Sequence, residues 1–202
     1  MRCLVVTAVA AERDAIDLDG VIVGGVGPAA SAAAASAALA RASYDLVLCA
    51  GIGGGFVPLG IGDIAVASTI AFADLGAETA DGFQPVSLLG FGIDRYEVGP
   101  RLGVELADRA GGHLGTIITV ATVTGTAATA DALLVRYPDA VAEGMEGAGI
   151  AAAAAYHQVP FAEIRAISNP VGPRERNGWR IPDALAALGR AVSSLAAGWT
   201  TS

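Results

Sequence analysis

Four short stretches of this 202-residue chain carry residue types that can do chemistry, and each follows a run that reads as a β-strand. Glu12 comes shortly after the apolar run Cys3 to Val9 and opens a helical patch, Glu12 to Ile16. An acid at a helix start is favoured by the helix dipole alone, so its position is compatible with a surface role. Gly51-Ile52-Gly53-Gly54-Gly55 follows the run Asp45 to Ala50. Such glycines let backbone N–H groups approach a ligand closely, and a tight structural turn explains them equally well. No Gly-Lys-Ser/Thr follows, and the spacing is not that of a dinucleotide-binding loop. Gly144-Met145-Glu146-Gly147 separates a short strand from a helix of small residues. A carboxylate there can grip a sugar diol by accepting two hydroxyl hydrogen bonds, or can cap the helix. Arg165-Ala166-Ile167-Ser168-Asn169 ends a strand and leads into a polar loop with Arg174, Arg176, Trp179 and Arg180. Ser and Asn at such a place often serve turns only, and the arginines fit a solvated face.

The elements that must position these residues alternate along the chain. Strand-like runs are expected at Cys3 to Val9, Val21 to Val26, Asp45 to Ala50, Ile64 to Phe72, Gly115 to Val123, Ala140 to Glu143 and Phe161 to Ile167. Helices are expected over Ala29 to Ala42, Arg101 to Ala110, Ala127 to Tyr137 (stopped by Pro138), Gly147 to His157 and Pro182 to Ala197. Gly76 to Gly99 is turn-rich and yields no clear element. With no linker or repeat, the pattern predicts one α/β domain over residues 1–202, a central mixed β-sheet flanked by helices. In such sheets ligands gather where strands end, which is where the four stretches lie.

Composition removes several function classes. Net charge is −8 and all 12 basic residues are Arg without a cluster, so no nucleic-acid surface is expected. Mean hydropathy is +0.56, yet the apolar runs are short and rich in Ala, so no membrane span or signal peptide is expected, and a cytoplasmic location is. Cys3 and Cys49 read as buried thiols rather than a disulfide. His113 and His157 stand far apart and suit packing or surface positions, so no metal, no cofactor and no histidine-based triad is expected.

Taken in order, the four stretches resemble the methylthioadenosine/S-adenosylhomocysteine nucleosidase and purine nucleoside phosphorylase superfamily over nearly the whole chain. Val5-Val6-Thr7-Ala8-Val9-Ala10-Ala11-Glu12 resembles the family's first strand and catalytic glutamate. Gly24 to Ala30, Ala50 to Gly54 and Leu59 to Ile64 resemble its glycine-rich segments, Met145-Glu146-Gly147-Ala148 its ribose motif, and Pro160 through Asn169 the strand whose end holds the base. The resemblance implies that Glu12 activates water, that Glu146 binds the ribose hydroxyls with Met145 against the sugar, and that Gly51, Ile52 and Gly53 form a pocket loop. It also implies a homo-oligomer, dimer or larger, in which a neighbouring subunit closes the pocket. Breaking the N-glycosidic bond leaves positive charge on ribose and negative charge on the purine, so carboxylates belong at the sugar and donors at the base.

One departure carries information. Adenine-releasing members place Asp where this chain has Asn169. An amide cannot give up a proton, but it can donate to the seven-nitrogen or six-oxo group of a 6-oxopurine, which is the easier leaving group. A 6-oxopurine nucleoside is therefore the expected substrate, with water as co-substrate. Gly24 to Ala30 and Gly51 to Pro58 contain no Arg or Lys, which disfavours binding of a phosphate dianion and hence phosphorolysis. The run Ser168 to Arg176 is similar to one hydrolase branch whose substrate carries a carboxylate at its five-prime end. That implies a pairing partner among Arg174, Arg176 and Arg180, with Trp179 or Phe residues near the substrate's ring. A methylthioadenosine-type nucleosidase, a 6-oxopurine phosphorylase and a non-catalytic nucleoside sensor are the alternatives. No base contact is assigned within Thr122 to Ala132, and the sequence does not say which of Phe56, Phe72, Phe83 and Phe91 meets ligand.

Overall fold

Strands and helices alternate through the computed structural model, which describes residues 1–173, 175, 178–197 and 199. The long strands are β1 (Cys3–Thr7), β3 (Leu46–Gly55), β4 (Ile64–Phe72), β8 (His113–Thr119), β9 (Ala140–Gly144) and β10 (Phe161–Pro170). Shorter ones are β2 (Ile22–Val23) and β7 (Arg95–Glu97), and β5 (Gly76–Thr79) pairs with β6 (Gly82–Pro85) as a separate hairpin. Helices α1 (Ala10–Ala15), α2 (Pro28–Leu39), α3 (Pro100–Ala110), α4 (Ala127–Arg136), α5 (Gly147–Tyr156) and α6 (Ile181–Ala196) fill the intervals.

The sheet runs β10-β4-β8-β9-β3-β1-β2, and β10 also pairs with β3, so five strands close into a ring. β1–β3, β3–β10, β4–β8 and β8–β9 are parallel, whereas β4–β10 and β3–β9 are antiparallel. The sheet is thus mixed, as its sequence predicts. Helices on both sides explain why strand sequences such as Leu4-Val5-Val6 are apolar without alternation: all three are buried. α6 buries Ala184, Ala187, Leu188, Ala191, Val192 and Leu195, a stripe at helical spacing. Of these, the fully buried Leu188, Val192 and Leu195 each stabilise the fold by roughly 1.5–3 kcal/mol.

One irregularity of this sheet creates the site. β10 lies along one edge of β3 from Val47 to Gly55. The other edge is shared: β1 pairs as far as Cys49, and β9 takes over at Gly54. Between them the edge of residues 50–53 is open, a fork where two strands part. Gly51, Ile52 and Gly53 are therefore not a loop, as expected, but strand whose outer edge faces the fork. Glycine serves there because neighbouring side chains need the space.

Other boundaries moved for local reasons. β1 ends at Thr7 rather than Val9, and β2 is only Ile22–Val23, because the chain turns at Gly24 and Gly25. Gly25 has φ +87°, and Gly24 N–H donates to Thr7 O at 2.7 Å. β8 starts at His113, and the unread stretch Gly76 to Gly99 holds the hairpin and β7. Among the described residues no helix is long and apolar enough to cross a membrane.

Candidate active site

A cavity of about 230 Å³ opens at the fork, and its wall includes Glu12, Ile52, Gly53, Met145, Glu146 and Asn169. The four sequence stretches thus converge on one place.

Glu12 is the third residue of α1 and only 3% exposed, which removes the reading of a surface helix-start acid. Its carboxylate folds back to accept the N–H groups of Ala8 at 2.9 Å and Val9 at 3.2 Å through Oε2. Oε1 accepts from Ile52 N–H at 2.9 Å, tying α1 to the open edge of β3. Glu146 stands at the N-cap of α5, yet its side chain makes no capping bond. It turns away from the helix. Oε1 accepts from Gly27 N–H at 3.1 Å and Oε2 from Met145 N–H at 3.3 Å.

The residue that joins these parts is Arg165, which the sequence reading quoted as part of a motif but gave no role. It lies in β10, 2% exposed, and its Nη2 pairs with Glu146 Oε2 at 3.1 Å. Nε pairs with Glu163 Oε1 at 2.8 Å, and Nη1 donates to Ile52 O at 3.2 Å. Nη2 also donates to Cys49 Sγ at 3.3 Å. Both cysteines are free thiols, and burial pushes the Cys49 thiol well up. Burial likewise holds the Glu163 carboxyl above its usual range, against the pull of Arg165.

The nearby glycines now have a reason. A Cβ on Gly51 would stand 2.7 Å from Arg165 Nη1 and 2.8 Å from Glu12 Oε1, and one on Gly144 would stand 2.7 Å from Arg165 Cζ. A Cβ on Gly147 would collide with the Glu163 carboxylate. Gly51 itself is behind the wall rather than on it. The sequence signal was available: Glu163 and Arg165 are charged at strand spacing inside an apolar run, with glycines elsewhere to make room.

Farther along the wall, Asn169 is half-buried; its Oδ1 accepts from Ser168 Oγ at 2.8 Å and its Nδ2 donates to Pro170 O at 2.9 Å. Val123 and Thr124 also line the cavity, within the stretch where no base contact was assigned. So does Glu143, 5% exposed, which accepts from Thr124 N–H at 3.0 Å and from Thr124 Oγ1–H. Burial raises the Glu143 carboxyl above its ordinary range despite those two bonds. None of Phe56, Phe72, Phe83 and Phe91 is on this wall. Trp179 is, whereas Arg180 is 62% exposed in its side chain and pairs with Asp183 at 2.8 Å. Arg174 and Arg176 lie outside the described residues. Among the described residues no cluster of three His, Cys, Asp or Glu could hold a metal.

The cavity's electrostatics separate two chemistries. Three carboxylates, Glu12, Glu143 and Glu146, share the wall with one guanidinium, which is already paired to Glu146 and Glu163. A phosphate dianion finds no uncommitted cation among these side chains. An uncharged ribose and purine and a water molecule meet no such penalty.

Comparison with known proteins agrees with the fold. The family model described as the phosphorylase superfamily matches residues 20–197. Futalosine hydrolase of Streptomyces coelicolor is 50% identical, over 97% of this chain and 95% of its own. Futalosine hydrolase of Acidothermus cellulolyticus is 47% identical, over 98% and 92%. The solved structure of futalosine hydrolase from Helicobacter pylori superposes with a TM-score of 0.82 at 18% identity, over 98% of this chain and 97% of that one. The chain belongs to the phosphorylase superfamily and, within it, to the family of the futalosine hydrolases.

Proposed function

We propose that this chain hydrolyses the N-glycosidic bond of futalosine, releasing hypoxanthine and dehypoxanthine futalosine, in menaquinone biosynthesis by the futalosine route. The observation that carries the reading is the pairing, across one cavity, of a buried carboxylate couple at the fork with an amide at the opposite end: Glu12 and Glu146 against Asn169.

In this mechanism the ribose lies at the fork and the purine toward Asn169. Glu146 accepts the ribose hydroxyls, fixed in place by Arg165 and the Gly27 N–H, and Met145 packs on the sugar. As the C1′–N9 bond breaks, its electron pair leaves with the purine and C1′ gains cationic character, which the carboxylates stabilise. Glu12 takes a proton from water while the water oxygen bonds to C1′. Asn169 donates to the purine and spreads the charge that develops there, so no full proton transfer from this side chain is required. Futalosine is an inosine with a ketone-linked benzoate at its five-prime end. Trp179 on the wall is suited to that ring, and Arg174, Arg176 and Arg180 supply the candidate partners for its carboxylate. Retained futalosine affinity in a variant with all three arginines replaced by Ala would remove that assignment.

The chain works as a homo-oligomer in the cytoplasm. Val9 and Val26 on the cavity wall are apolar yet 40% and 56% exposed, which suits cover by a neighbouring subunit.

Incubating the purified chain separately with futalosine, inosine and methylthioadenosine, and identifying the released base by chromatography, tests the reading. Hypoxanthine from futalosine is expected. Adenine from methylthioadenosine in its place would show that the Asn169 argument is wrong, and no release from any of them would leave a nucleoside sensor as the better reading.

A further inference from the structure

Glu143 has no part in the mechanism above, although it is a nearly fully buried acid on the wall of the same cavity. Among the described residues it has no cationic partner, since Arg165 is directed to Glu146 and Glu163. Burying a carboxylate without a cation is costly and needs compensating hydrogen bonds. Thr124 supplies two, one to each oxygen. An ionised carboxylate has about four lone-pair positions, so acceptor capacity is left over.

The sheet register says where this group stands. Gly54 of β3 is paired on one side with Glu143 of β9 and on the other with Asn169 of β10. Residues directly opposite one another across a ladder point to the same face. Glu143 and Asn169 therefore flank a position that has no side chain, with their Cα atoms two strand spacings, roughly 9.5 Å, apart. A Cβ on Gly54 would meet Val171 Cγ2 at 2.8 Å and lie 3.5 Å from Asn169 Nδ2, so glycine there makes room for the Val171 side chain, which lines the cavity together with Glu143 and Asn169.

The two polar side chains on this part of the wall differ in kind: the Glu143 carboxylate accepts hydrogen bonds only, the Asn169 amide can also donate. A 6-oxopurine has the complementary edge. Its N1 carries a hydrogen, while O6 and N7 accept. A 6-aminopurine has a bare lone pair at N1, which would face the carboxylate. We propose that Glu143 is the specificity residue for the base, accepting the N1–H of a 6-oxopurine while Asn169 donates on the O6 and N7 side. The inference rests on the cavity taking a purine nucleoside as proposed above, and it assigns discrimination to a strand residue that the ribose motif leaves out.

The first test needs no variant. Binding of hypoxanthine, 1-methylhypoxanthine and adenine to the unaltered protein is measured by calorimetry. Hypoxanthine is expected to bind about 10- to 100-fold more tightly than the other two, the range associated with losing a hydrogen bond to a charged group. Equal affinity for hypoxanthine and its N1-methyl derivative would overturn the proposal. The second test compares kcat/KM for futalosine and its 6-amino analogue in the unaltered chain and in Glu143→Gln. The preference for futalosine is expected to shrink by about 10- to 100-fold, because an amide can donate to the bare N1. An equal fall for both substrates would mark Glu143 as structural and overturn it. If the unaltered chain releases no hypoxanthine from futalosine, the functional reading fails, while the calorimetric comparison still judges Glu143 alone.

Discussion

Glu12 accepts three backbone N–H groups and keeps roughly one lone-pair position for a water proton. The carboxylate is thereby aimed as well as buried. Glu12→Gln keeps the shape and removes the base, so kcat is expected to fall by about 10²- to 10⁴-fold with little change in KM, read from steady-state kinetics. Arg165 makes a different prediction, because it holds two carboxylates that have no other cation nearby. Arg165→Met leaves Glu146 and Glu163 buried and unpaired, which costs about 3–5 kcal/mol. For a chain of this size that corresponds to a Tm lower by roughly 6–20 °C in a thermal melt. A Tm within a degree or two of the original would mean the cluster contributes little. Glu12, Glu146 and Asn169 were legible as residues because acids and amides at strand ends stand out. Glu143 and the role of Arg165 were not: charges inside an apolar strand signal a buried polar cluster, but only the register across three strands shows what they meet.

Elements were legible to the extent that local sequence decides them. The α6 stripe and the apolar strands appear as periodicity and as runs. The fork does not, because it depends on β1 and β9 sharing one edge of β3, a relation between segments far apart in the chain. For the same reason Gly51, Ile52 and Gly53 looked like a loop when they are strand. α5 raises a related question of sign. Gly149 sits inside the helix, where Ala would ordinarily stabilise by about 1 kcal/mol. Its Cβ, however, would overlap the carbonyl of Pro28 at the start of α2, a backbone atom that cannot rotate away. Overpacking of this kind costs about 1–3 kcal/mol, and with backbone as the obstacle the larger figure applies. Gly149→Ala is therefore expected to lower stability by about 2 kcal/mol net, measured from the urea midpoint, despite its better helix propensity. Because α5 begins beside Glu146, a raised KM should accompany it.

At the scale of the whole molecule, a net charge of −8 and a carboxylate-lined cavity both disfavour a phosphate dianion at the fork. Glu143 on that wall also sets a pH dependence. The Glu143 carboxyl is raised above its ordinary value, chiefly by burial. Between the unfolded value of about 4.3 and that raised value, the folded chain holds a proton the unfolded chain has lost, so stability falls as pH rises through this window. Glu143→Gln removes that slope. The difference in urea midpoint between the variant and the unaltered chain should therefore move in the variant's favour as pH increases through the window. A constant difference would mean that Glu143 titrates alike in both states. The overall architecture was the most legible feature of all, since alternating strands and helices leave few ways to build a single sheet, and the ordered motifs narrowed it to one superfamily.

The claim on which all of this depends is that water, not phosphate, attacks the sugar. The direct measurement is the rate of hypoxanthine release from futalosine across a series of phosphate concentrations, with the sugar product identified by mass spectrometry. The account predicts a rate indifferent to phosphate and a free sugar product. A rate that rises with phosphate, with a sugar 1-phosphate as product, would contradict it.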